Sequence, residues 1–391
     1  MTIVSRELVE IDERRLLRRL DELAQRGAVP GGGVTRIPQT PAWVSAIELV
    51  SGWMKEATLL VRRDAAGNVW GRVEGSRGGR AIVTGSHIDT VRSGGALDGA
   101  LGVVAGIEAV ASLVARYGRP KRICECVAIA EHEATRYAAR AIADRLDPGE
   151  VAGDARAASV ARRDIDVFVE LHVEQGDVLD GAGERLGVVS AVAGSTELEI
   201  AVRGEPAAAE STAMERRRDA LLGASEMIVA VAAAAREVSG SIASVTGVSI
   251  EPAQAGVVAA LARFTVELRH ADDARRVELA AEIDRRCKVI GRANELEVVV
   301  RAVRERHAVR LSERVADVLR RASGAAGVVP RDMTSMAAHD AQILSAAAST
   351  GLLFVPSIGG RSHGPDEATA AEDVVLATRV LATALYDLAF A

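Results

Sequence analysis

The stretch Gly85-Ser86-His87-Ile88-Asp89-Thr90, with Gly94-Gly95-Ala96-Leu97-Asp98-Gly99-Ala100-Leu101-Gly102 close behind it, constrains the fold more than any other part of the chain. Residues 81–84 form an apolar, β-branched run that reads as a buried strand, and residues 102–114 carry apolar side chains at helical spacing. Strand, glycine-rich loop and helix make an α/β unit. His87, Asp89 and Asp98 then lie on a loop at the carboxyl end of a strand, where open α/β sheets take their ligands. Imidazole together with carboxylate suits zinc and its neighbours, and glycine lets the backbone crowd in. A hydrogen-bonded surface pair would carry the same His-x-Asp, so other segments have to decide.

They repeat the device. Residues 122–130 read as a second buried strand ending in Glu131-His132-Glu133-Ala134-Thr135-Arg136-Tyr137. Val167-Phe168-Val169-Glu170-Leu171-His172-Val173-Glu174-Gln175-Gly176 is a third, and Gly359-Gly360-Arg361-Ser362-His363-Gly364-Pro365 is a late polar loop. Four strand or loop ends thus deliver His87 with Asp98, Glu133, His172 and His363. Three imidazoles and two carboxylates are what two divalent metals with a bridging carboxylate need, leaving positions open for water and substrate.

The rest of the chain supplies the frame. Helical spacing covers residues 5–26 and 41–56, and strands at 59–62 and 69–73 flank the turn Asp64-Ala65-Ala66-Gly67-Asn68 as a hairpin. Between about 193 and 305 the pattern shifts to strands at 197–202 and 263–269 with helices near 218–238 and 273–291, a small α+β insert. Alternation returns through residues 311–322 and 337–348, a strand at 352–355 and a closing helix from about 371. At 391 residues the chain is too long for one core. The expected class is α/β with two domains: a mixed-sheet catalytic domain with helices on both faces, residues 1–193 and 306–391, and an inserted α+β domain, residues 194–305.

Charge and composition narrow the function. The net charge is −6 and no basic stripe carries interleaved aromatics, which argues against a nucleic-acid footprint. No stretch approaches a membrane span, and Ser5-Arg6-Glu7-Leu8 is not a signal peptide. Cys124, Cys126 and Cys287 are an odd number without ligand spacing; Cys124 and Cys126 read as core, and a reducing cytoplasm is the expected compartment. Trp43, Trp53 and Trp70 read as core, and His270 and His307 as structural. Arg216-Arg217-Arg218 reads as a solvated face with one buried contact, and His339-Asp340 as a helix cap or a shaper of the pocket.

These segments, with Gly33-Val34-Thr35-Arg36, Arg218-Asp219-Ala220, His339-Asp340-Ala341 and Phe354-Val355-Pro356-Ser357, make the chain resemble the dinuclear metallohydrolase superfamily of aminoacylases and carboxypeptidase-type peptidases. Within it, the resemblance is to the branch of N-carbamoyl-L-amino acid hydrolases and allantoate and ureidoglycolate amidohydrolases. It implies two divalent ions, zinc, manganese, nickel or cobalt. Asp98 would bridge them, with His87 and His172 on one and Glu133 and His363 on the other. Asp89 would orient His87. Gln175, Gly360 and Ser362 would meet the substrate, and Arg269 would grip its carboxylate in a bidentate fork. The insert would act as a lid and join two copies into a homodimer. The expected activity is hydrolysis of a linear amide or ureido C–N bond in a small carboxylate-bearing molecule.

Three positions depart from the family pattern. Where it has a glutamate as general base, this chain has His132, unless the loop is re-threaded to offer Glu131. Ala208 stands where a histidine reaches the reacting carbonyl, and Gly256 replaces an asparagine. The ligands remain while groups that act on the substrate change. That contrast leaves open a retooled, non-hydrolytic reaction (lyase, cyclase or addition) or an inactive scaffold.

Overall fold

The computed structural model describes residues 8–143 and 163–391. Residues 5–7, expected to open the first helix, lie outside that range. The chain divides into two compact units, one comprising Met1–Ser190 with Arg310–Ala391 and the other Ala191–Val309.

The first unit begins with α1 (Glu13–Ala24) and α2 (Pro41–Glu56). Helix α1 starts later than its apolar spacing suggests because Asp12 caps it, its side chain accepting from the Arg15 amide. Thr40 and Pro41 open α2 in the same manner. The strands β1 (Leu60–Arg63) and β2 (Val69–Val73) pair antiparallel, and β3 (Ala81–His87) follows. His87 is therefore the last residue of a strand, where the sequence suggested a loop. Next come α3 (Ala100–Tyr117), β4 (Cys124–Ile129), α4 (Tyr137–Ile142), β5 (Ile165–Val173), α5 (Val178–Ala182) and β6 (Gly187–Val192).

The second unit contains β7 (Gly194–Arg203), β8 (Ala207–Ala208), α6 (Ala220–Glu237), β9 (Ile242–Glu251), β10 (Val257–Val258), β11 (Leu261–His270), α7 (Asp273–Ala293) and β12 (Glu297–Arg306). Its sheet runs β12-β7-β11-β9, antiparallel throughout. Alternate residues Leu198, Ile200 and Val202 of β7 and Phe264, Val266 and Leu268 of β11 bury one face against α6 and α7. Strands β8 and β10 form a separate two-stranded ladder.

The chain then returns through β13 (Val309–Arg310), α8 (Glu313–Ala325), β14 (Arg331–Ser335), α9 (Asp340–Leu344), β15 (Ser349–Val355) and α10 (Ala371–Leu385). The large sheet of the first unit has the order β1-β2-β4-β3-β5-β15-β6-β13, with β14 beside β6. Strands β4, β3, β5 and β15 are parallel and buried, so their carboxyl ends share one edge.

Helix α3 is long and apolar enough to match a bilayer, a match the sequence reading did not expect. It is a core helix: Ala100 through Val110 are buried without interruption. A Cβ on Gly106 would sit 3.2 Å from the Thr84 methyl, and one on Gly102 would strike the Leu171 carbonyl, so both glycines let α3 lie directly on the sheet. Trp43, Trp53, Trp70, Cys124 and Cys126 are buried as expected.

Candidate metal centre

Strand register assembles the site. His87 pairs with Ile129 across β3 and β4, and Thr84 pairs with Val169 across β3 and β5. Three steps beyond that second pair lie His87 and His172. The loop after β3 turns back through Asp98 and Gly99 into α3. Gly99 has φ +66°, and a Cβ there would lie 2.5 Å from the His87 ring, so only glycine lets the helix terminus approach it. Gly85 is more constrained still, with φ +149° and the Val127 carbonyl where a Cβ would be.

The five expected donors converge. Asp98 places one oxygen 3.6 Å from His87 Nε2 and 3.2 Å from His172 Nε2, and its other oxygen 3.2 Å from His363 Nε2. His363 Nε2 is also 4.0 Å from Glu133. Two groupings result, His87–Asp98–His172 and Asp98–Glu133–His363, with Asp98 common to both. The tautomers follow from the partners. Nδ1 of His87 meets the Asp89 carbonyl at 3.1 Å and Nδ1 of His172 meets that of Val173 at 2.9 Å, so each Nδ1 keeps its proton. The Nε2 lone pairs then face one another at 3.5 Å and point at a carboxylate oxygen, while the Gly99 amide donates to His172 Nε2. Lone pairs and carboxylate oxygens crowded this closely require positive charge between them, as a proton or as a metal ion. The donor set fits metal ions on that ground.

The electrostatics agree. Burial opposes charge on His87, but the Asp89 and Asp98 carboxylates outweigh it and hold the ring well above its usual range. Burial likewise opposes charge on His172, and Asp98 overcomes it; hydrogen bonding to Asp98 raises His363. Asp98 is held well below the ordinary carboxylate range, its burial outweighed by the three imidazoles. Burial pushes Glu133 up to about 7.

Asp89 orients the surroundings. Its carboxylate lies 3.4 Å from His87 Nδ1 and accepts the amides of His132 at 2.9 Å and Glu133 at 3.0 Å. His132 is buried and stacks on the His87 ring at 4.7 Å between centroids. Its Nδ1 lies 2.8 Å from Asp340. Burial lowers His132 well below its usual range and lifts Asp340 to about 7. Glu131 takes no part in the cluster: its carboxylate accepts the amides of Ala134, Thr135, Arg136 and Tyr137 where α4 begins. The chain therefore adopts the threading that presents His132, with Glu133 at the metal grouping.

Other expected residues are distributed unevenly. Gln175, with φ +63°, places its amide nitrogen 3.2 Å from Asp98 and 3.0 Å from His363 Nε2. Ser362 donates to Glu367 at 2.6 Å, and Gly360 packs against Asp177. Arg269, in the second unit, donates to Glu267 at 2.6 Å. Also there, β8 and β10 set Ala208 opposite Val257, and the Ala209 amide donates to the Gly256 carbonyl at 2.9 Å, so two of the departures are neighbours.

Sequence reasoning missed the role of one residue, Glu367, and left His339-Asp340 between a helix cap and a shaper of the pocket. His339 occupies the N-cap position of α9 without a side-chain cap hydrogen bond; its ring is buried edge-on to His172 at 4.6 Å and bonded to Ser335. Asp340 holds His132, and Glu367 accepts the amides of Leu97 and Asp98 at 2.8 and 2.9 Å. A His-Asp pair next to a helical segment reads equally well as a cap, and a lone glutamate after a loop carries no signal. Of the remaining residues, His270 is buried and bonded to the Ser239 and Asp272 carbonyls, while His307 is exposed and pairs with Asp273. Arg217 holds the Ala209 and Thr212 carbonyls, and Arg218 pairs with Glu205 and Glu295.

Comparison with known proteins points in one direction. The model for Peptidase family M20/M25/M40 matches residues 83–387. The allantoate amidohydrolase of Bacillus subtilis (strain 168) is 32% identical over 401 residues, covering 95% of this chain and 96% of that protein. The N-carbamoyl-L-amino-acid amidohydrolase of Paenarthrobacter aurescens is 33% identical over 409 residues, covering 96% and 97%. The crystal structure of an amidase of the hydantoinase/carbamoylase family from Burkholderia multivorans superposes with a TM-score of 0.87 at 30% identity, over 97% of this chain and 98% of that one.

Proposed function

This chain belongs to Peptidase family M20/M25/M40, and from that premise we propose that it is a metal-dependent amidohydrolase cleaving a linear C–N bond in a small ureido or N-carbamoyl carboxylate. The observation that carries the reading is Asp98, whose two oxygens face two separate donor groupings. We assign His87, His172 and Asp98 to one divalent ion and Asp98, Glu133 and His363 to a second. Bound there, such ions polarise a carbonyl and acidify water.

The chain's own residues supply the rest. With Asp340 ionised, its carboxylate accepts from Nδ1 of His132, which leaves Nε2 free to take a proton from the attacking water and return it to the leaving nitrogen. Water adds to the carbonyl carbon, the C–N bond breaks, and that nitrogen departs with the proton. Asp89 holds His87 and the amides of His132 and Glu133 in register, so ligand and base move together. Gln175 offers an amide beside Asp98 and His363 for the substrate's ureido group, with Gly360 and Ser362 on the neighbouring loop. Arg269 is assigned to the substrate carboxylate. The second unit is assigned the homodimer contact, because β9 is an edge strand that exposes Ile242 and Val248.

The test is a screen of N-carbamoyl amino acids, allantoate and ureidoglycolate with manganese, zinc, nickel or cobalt. Metal-dependent release of ammonia or an amino acid is expected, with KM raised in Arg269→Ala and a dimer in sedimentation. Failure to take up any of these metals would sink the proposal. A second reading, non-hydrolytic chemistry, is favoured by one observation: neither Ala208 nor Gly256, adjacent at the β8–β10 ladder, has a polar side chain to offer a carbonyl. Turnover in oxygen-18 water separates the two, since hydrolysis places solvent oxygen in the product.

A further inference from the structure

Four of the five metal donors are well anchored. His87 and His172 sit at the ends of buried strands, Asp98 directly precedes α3, and Glu133 has its amide tied to Asp89. His363 is different. Its side chain is 51% exposed, it lies on a loop outside regular structure, and its backbone adopts φ +56°, a conformation that costs a side-chain-bearing residue energy. Something buried must hold it in place.

Glu367 is that anchor. It is buried, and one carboxylate oxygen accepts the amides of Leu97 and Asp98 while the other accepts the Ser362 hydroxyl, next to His363. Its own amide donates to the Gly364 carbonyl at 3.2 Å and closes the turn. One side chain thus ties the Asp98 loop to the His363 loop. Gly95 makes room for it, since a Cβ there would fall 2.0 Å from the carboxylate. We propose that Glu367 is a positioning residue that fixes His363 against Asp98 and so sets the affinity of the Asp98–Glu133–His363 site more strongly than that of the His87–Asp98–His172 site. The inference rests on the two-ion reading above.

The experiment is calorimetric titration of chelator-stripped full-length protein with Mn2+ alone, with bound manganese counted after gel filtration. Wild type should take two equivalents. Glu367→Ala and Ser362→Ala should bind one about 10- to 100-fold more weakly, matching His363→Ala as the reference, and the other with a distinctly smaller loss. Glu367→Gln should retain both, because its amide oxygen can accept from Leu97 and Asp98 and its nitrogen can reach Ser362. If Glu367→Ala does not fold, as judged by circular dichroism, Ser362→Ala decides alone. Wild type binding two equivalents while the folded variants also bind two at unchanged affinity overturns this inference only. Equal weakening of both equivalents overturns it as well, because the role would then be general. Wild type binding fewer than two overturns the two-ion reading, and this inference with it.

Discussion

At the scale of single residues, the pair that tests the proposed reaction is His132 and Asp340, 2.8 Å apart and buried, with the His132 ring stacked on His87. An imidazole acts as a base only through the nitrogen that lacks a proton, and an ionised Asp340 accepting from Nδ1 would leave that role to Nε2. Replacing His132 with Ala should lower kcat by about 10²- to 10⁴-fold with little change in KM. Asp340→Asn should also lower kcat, because an amide can present its NH2 to Nδ1 and move the ring proton to Nε2. Steady-state kinetics on preparations with matched metal content checks both, and an unchanged kcat in His132→Ala would assign the proton transfer elsewhere.

At the scale of elements, β4 shows how a strand serves site and core together. Its carboxyl end leads into Glu131-His132-Glu133, while its body buries Cys124 and Cys126 completely. Burial raises both thiols, Cys124 to about 12, and Cys287 in α7 to about 11. All three are free cysteines and should resist thiol reagents at pH 8 in the native state but react in denaturant. The linkage has a definite sign. Above pH 9, the ordinary value, unfolded thiols lose protons that the folded ones keep, so the unfolded state binds fewer protons and stability falls as pH rises from about 9 towards 12. Denaturant melts at pH 8 and pH 10.5 measure it, and a rise in stability over that interval would contradict the assignment.

At the scale of the whole molecule, the donor cluster belongs to the first unit, drawn from both of its chain segments: His87, Asp98, Glu133 and His172 from one and His363 from the other. Metal binding is therefore coupled to the folding of that unit, since the unfolded chain cannot assemble donors 276 positions apart, from 87 to 363. Free metal at a thousandfold excess over Kd stabilises a protein by about 4 kcal/mol. Chelation should accordingly lower the calorimetric transition of the first unit by several degrees and leave that of the second unit in place. Equal shifts in both transitions would mean that the two units melt as one.

The order of elements, the change from an α/β frame to an α+β insert, and the candidate donors were legible because periodicity and residue chemistry are local properties. His87, Glu133 and His172 could be picked out where apolar runs end, and Asp98 and His363 in glycine-rich loops. What the chain could not reveal in linear form is how those ends meet. Parallel register across β4, β3 and β5 sets His87 beside His172, and it does so through main-chain hydrogen bonds that carry no side-chain signature. Asp340 reaching His132 over 208 positions and Glu367 reaching Leu97 over 270 are contacts of the same kind. The sequence determined which groups are present and how each segment folds; the tertiary structure decided which groups touch, because contact between distant positions depends on packing the whole chain into one arrangement.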